Sequence, residues 1–147
     1  MRSGRPVTPA DVTVQQMMAT KTRLLVLNQY YWPGVEATAY LLSQLCEELA
    51  DEFEITVVTG HLRGHDDLPD EAVHKSVRIV RVRSTAFDRT QLHLRAANYA
   101  SYLGDSILKA LRRTRPEIVL CMTDPPIVGD IGLVVARRFG VPLLVIS

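Results

Sequence analysis

The chain has 147 residues, 47% of them hydrophobic, which suits a single domain with a sizeable core and excludes a disordered chain. A formal net charge of +1 offers neither the basic surface of a nucleic-acid binder nor an attraction for an acidic partner. No apolar run approaches the roughly 18 residues of a membrane span, and the opening residues carry Arg2 and Arg5 without the apolar stretch of a secretory signal.

Residues 1–22 hold two prolines, a glycine and scattered polar side chains without a sustained period, the pattern of a mobile tail. The domain is expected over residues 23–147. Leu24-Leu25-Val26-Leu27 is an unbroken apolar run, the signature of a strand buried on both faces of a parallel sheet. It ends at Asn28-Gln29 and passes through a loop containing Tyr30, Tyr31, Trp32, Pro33 and Gly34. Leu41, Leu42, Leu45, Cys46 and Leu49 then recur at helical spacing, predicting an amphipathic helix from near Thr38 to near Asp51. Ile55 to Val58 is a second strand, and His61 to Lys75 reads as a polar loop. Val77 to Arg83 is a third strand whose three arginines suggest a sheet edge. Leu92, Ala96, Tyr99, Leu103, Ile107 and Ala110 mark a long helix that Arg115-Pro116 stops. Ile118 to Met122 is a fourth strand, a helix follows through Phe139 to Gly140, and Leu143 to Ile146 is a fifth strand.

This alternation predicts a doubly wound parallel sheet, Rossmann-like, in the order 3-2-1-4-5, with its switch point between the first and fourth strands. Cys46 and Cys121 fall inside apolar patterns and read as small core residues of a reducing compartment, so the expected location is the cytoplasm. A bare apolar strand just before Ser147 reads as the front part of a longer protein, or one half of a split one.

Ligands of such sheets sit beyond the carboxyl ends of the strands, which makes the first loop the candidate site. Gly34 offers backbone without a Cβ, and the helix after it turns a positive N-terminus toward the cleft, suited to a diphosphate near Gly34, Val35, Glu36 and Thr38. The same residues also read as an ordinary turn and first helical turn. Tyr30, Tyr31 and Trp32 offer aromatic faces to a sugar ring or a lipid tail, or else cap the sheet. Asp124 stands across the switch point, where it either accepts a hydrogen bond from a substrate hydroxyl or caps the next helix. His61, His65, Asp66 and Asp67 lack the further ligands of a metal centre, and no metal site is assigned. The long helix carries Arg89, Arg95, Lys109, Arg112, Arg113 and Arg115, a face for anionic lipid headgroups or simply cations at a helix end.

The run NQYYWPGVEATAYLLSQLCEELADEFEITVVTG resembles the start of family 4 glycosyltransferases of the GT-B fold, in particular the branch that assembles colanic-acid-type exopolysaccharides. The run EIVLCMTDPPIVGDIGLVVARRFGVPLLVIS resembles the same family's fourth strand, turn, helix and fifth strand. The resemblance implies an amino-terminal domain that binds the acceptor, with Gly34 to Thr38 approaching the diphosphate of a nucleotide-sugar donor. It implies transfer of a hexose with retention of configuration to a lipid-linked or saccharide acceptor, with no cofactor, no essential metal and no nucleic acid. Most of the donor site would lie in a carboxyl-terminal domain or partner chain, and the present residues alone are expected to be inactive. Many relatives place a histidine near the end of the fourth strand; Thr123-Asp124-Pro125-Pro126 has none, and no catalytic residue is assigned. The alternatives are a non-catalytic acceptor- or membrane-binding half of a split transferase and an epimerase of similar fold.

Overall fold

The computed structural model describes residues 20–62, 64–65, 67–82, 111, 115–123 and 126–147. Residues 1–19 of the expected amino-terminal tail, the long basic helix up to Ala110, and Asp124 lie outside the described residues, and Thr22, assigned to the tail, opens the first strand. Strand β1 (Thr22–Leu27) leads through the first loop to helix α1 (Ala37–Leu49) and strand β2 (Phe53–Gly60). Strands β3 (Glu71–His74) and β4 (Val77–Val82) follow, then β5 (Ile118–Met122), helix α2 (Ile127–Phe139) and β6 (Leu143–Ile146). One six-stranded sheet has the order β3-β4-β2-β1-β5-β6, parallel throughout except for the antiparallel pair β3-β4. The expected parallel order is present, extended by one strand.

Strand β1 is apolar without interruption because both its faces are covered. Leu24 and Val26 join Ile55, Val57, Ile79 and Leu120 under Leu42 and Cys46 of α1. Leu25 and Leu27 join Val58, Val80, Val119 and Cys121 under Val128, Ile131 and Val135 of α2, with Leu111 beside them. The pairing of Leu24 with Ile55 and Ile118, and of Leu27 with Val58 and Cys121, keeps each set on its own face. The two cysteines are free and sit in the cores on opposite faces. Helix α2 stops at Gly140, whose φ of 65° is left-handed and whose N–H donates to the carbonyls of Ala136 and Arg137.

Two expectations are corrected. The polar segment His61 to Lys75 is not all loop, because Glu71–His74 forms β3 and turns into β4 through Lys75 and Ser76, both at positive φ (46° and 65°). Such a two-residue turn matches the right-handed twist of paired strands. β3 therefore covers β4, which is no edge: Arg78 pairs with Glu71 at 3.0 Å, and Arg81 turns inward.

Tyr31 and Cys46 pack together beneath α1. Burial, with Glu47 nearby, lifts the Cys46 thiol from its ordinary 9.0 to about 11, and burial beside Cys46 raises the Tyr31 phenol as well. An unfolded chain releases these protons at lower pH than the folded one. Stability is thus fully present below about pH 9 and declines as the pH rises toward 11. The midpoint of thermal unfolding is expected to fall across that window, and Tyr31→Phe, which removes the phenol, should make the fall shallower.

Candidate functional site

At the carboxyl ends of the strands, the apolar cores give way to a row of buried polar side chains. Asn28 follows β1, Thr59 lies near the end of β2, and Arg81 lies near the end of β4. The alternation of each strand puts all three on the α1 face, continuing the lines of Val26, Val57 and Ile79. They meet the main chain of the first loop. Thr59 Oγ1 donates to the Gln29 carbonyl at 3.0 Å, Asn28 Nδ2 to the Tyr30 carbonyl at 2.8 Å, and Arg81 Nη2 to the Trp32 carbonyl at 3.2 Å. The Tyr31 carbonyl between them accepts the Gly34 N–H at 2.8 Å, and the Gly60 N–H adds a second bond to Gln29 at 3.2 Å. Every carbonyl from Gln29 to Trp32 is therefore paired, as backbone next to a core requires. Among the described residues, Asn28 Oδ1 is a buried acceptor without a partner.

Arg81 is only 4% exposed. Its other terminal nitrogen donates to the Pro69 carbonyl at 2.9 Å, and its own N–H to the Asp70 carbonyl at 2.6 Å. Burial lowers its pKa from the ordinary arginine value. Composition marked Arg81 as polar surface; a long side chain with a planar array of donors instead satisfies carbonyls from two loops.

The expected site residues fall into distinct places. Tyr31, 1% exposed, belongs to the core under α1 and does not present its ring to the cleft. Tyr30 is half-buried and joined to Asn28 through its carbonyl. Trp32 is 37% exposed, with its ring stacked on His74 of β3 at 3.8 Å between centroids and 10° from parallel. Val35 is 96% exposed, Glu36 and Thr38 are half-buried, and Tyr40 and Leu41 on the first turns of α1 are exposed. His61 pairs with Asp70 at 2.9 Å, and His74 and Lys75 reach Glu47 of α1 at 3.8 Å and 2.8 Å. The residues that sequence reasoning missed are Asn28, Thr59, Arg81 and His74. A polar residue closing an apolar run was a visible signal for Asn28 and Thr59, whereas Arg81 read as polar surface.

Gly34 serves the loop itself. A Cβ there would lie 2.6 Å from Glu36 Oε2 and 2.9 Å from the Tyr31 carbonyl oxygen. The Gly34 contribution is the tight turn that brings the start of α1 to the end of β1. At that start, Glu36 is the N-cap residue and its side chain makes no capping bond to the helix's positive end.

The same fold occurs in solved structures. The chain is similar to a sucrose-phosphate synthase from Thermosynechococcus elongatus, with a TM-score of 0.63 and 14% identity over 85% of this chain and 32% of that one. What is shared is the fold, a Rossmann-like α/β domain with a mostly parallel sheet. The chain spans about a third of the synthase's length. It is also similar to the C-terminal domain of a hydrogenase from Pyrococcus furiosus, with a TM-score of 0.53 and 14% identity over 87% of this chain and 93% of that one. No family model and no curated protein matches the chain. At such identities the likeness is one of fold. No helix among the described residues is long and apolar enough to cross a membrane.

Gly34→Ala is expected to cost about 1–3 kcal/mol in urea unfolding, the usual range for overpacking. Adding Glu36→Ala should recover only part of the loss, because the carboxylate can be removed and the Tyr31 carbonyl cannot.

Proposed function

We propose that this chain is the acceptor-side domain of a glycosyltransferase that moves a hexose, with retention of configuration, from a nucleotide-sugar to a lipid-linked or saccharide acceptor in polysaccharide assembly. The observation that carries this reading is the position of the first loop. It stands at the carboxyl end of β1, where one crossover leaves to the α1 face and the other to the α2 face, the crevice in which open α/β sheets bind ligands. The coarse likeness to a glycosyltransferase fold supports the reaction class.

In this reading the uncapped start of α1, at Val35 to Thr38, faces the leaving diphosphate. Dipoles fixed in advance at that point favour the charge that develops as the glycosidic bond to the donor breaks. Trp32 and the exposed Val35, Tyr40 and Leu41 offer an amphipathic surface to the acceptor. A second domain, or a partner chain, would supply the grip on the nucleotide. Glu36 works against the anion, since its carboxylate lies in the same turn.

Titration of the ¹⁵N-labelled chain with uridine and guanosine diphosphates tests the assignment. Amide shifts are expected to concentrate at Val35 to Thr38, and Glu36→Gln should tighten binding by about threefold, the range of one charge at a helix end. Shifts centred elsewhere, or none at these residues, would remove the diphosphate from this loop.

A further inference from the structure

We infer that His74 and Arg81 are positioning residues that hold Trp32 as a platform for a saccharide ring. The ligand class rests on the glycosyltransferase reading; the geometry stands apart from it. Arg81 fixes the main chain of Trp32 through its carbonyl, and His74 fixes the ring through a nearly parallel stack. One aromatic face is thereby covered, and the 37% of Trp32 left to solvent has a set orientation. His74 is itself restrained, because Glu47 of α1 lies 3.8 Å from its Nε2.

The same guanidinium ties the first loop to the segment before β3, because its two terminal nitrogens hold the Trp32 and Pro69 carbonyls. A restrained aromatic surface suits a ring that has an apolar face.

Trp32 is the chain's single tryptophan, so its emission reports this place alone. The chain is titrated with the methyl pyranosides of glucose, galactose and mannose while that emission is followed. At least one glycoside is expected to give a saturable change. His74→Ala should weaken it about fivefold, the scale of one lost aromatic contact. His74→Phe, which keeps a flat ring under Trp32, should restore it, with unchanged thermal midpoints in both variants. Equal binding by the His74→Ala variant would overturn the positioning role, and no response to any of the three glycosides would overturn the platform. If the glycosides fail while the diphosphate shifts at Val35 to Thr38 appear, this inference falls and the glycosyltransferase reading remains. If the glycosides bind and the diphosphates do not, the platform remains and that reading falls.

Discussion

The structure turns on one constraint, the need to pair four successive carbonyls where the chain leaves a strand buried on both faces. Water cannot serve groups set this close to the core, and an unpaired carbonyl there costs about 1–3 kcal/mol. Neighbouring strands supply the donors. Asn28, Thr59 and Arg81 end or nearly end three adjacent strands on one face, and each takes one carbonyl of the loop between Gln29 and Trp32. The fourth is closed by the loop's own turn at Gly34. Sheet order and loop shape are thus one problem with one solution, since the donors exist only when β4, β2 and β1 lie side by side.

This arrangement also bears on the proposed function. A loop fixed by its own main chain leaves its outward groups free to meet a ligand without a large ordering cost. Tyr31 points into the core and anchors the loop under α1, while Trp32, the next residue, turns to the surface. The β3–β4 hairpin supplies both restraints on Trp32, the guanidinium from β4 and the imidazole from β3. Glu47 then ties that hairpin to α1 through Lys75, an exposed pair that adds little stability by itself.

Much of this was legible in the residues. Continuous apolar runs announced β1, β2 and β5, because burial on both faces leaves no room for polar alternation, and the helical spacing of Leu42 and Cys46 announced α1; β6 is equally apolar, although Leu144, Val145 and Ile146 are exposed. β3 was not legible. Glu-Ala-Val-His is short, only partly buried, and joined to β4 by Lys75-Ser76 in place of the usual Asn-Gly, so no turn signal stands out. Arg81 was misjudged for a related reason: a charge in a strand suggests solvent, and only the fold shows that carbonyls of two other segments surround it. The aromatic trio was legible as a group but not residue by residue, since neighbouring positions of a loop turn opposite ways. Gly34 was legible as a special position, but the close approach of the Tyr31 carbonyl and the Glu36 carboxylate that a Cβ would meet there was not.

Native-state hydrogen exchange of the unmodified chain tests the pinned loop most directly. The Gly34 and Gly60 amides, bonded to the Tyr31 and Gln29 carbonyls, are predicted to be protected to a degree comparable with Val26 in the centre of β1, while Val35 beside them exchanges freely. Exchange of Gly34 and Gly60 at the rate of Val35 would contradict the account, because a loop that opens independently of the sheet is not held by the polar row at the strand ends.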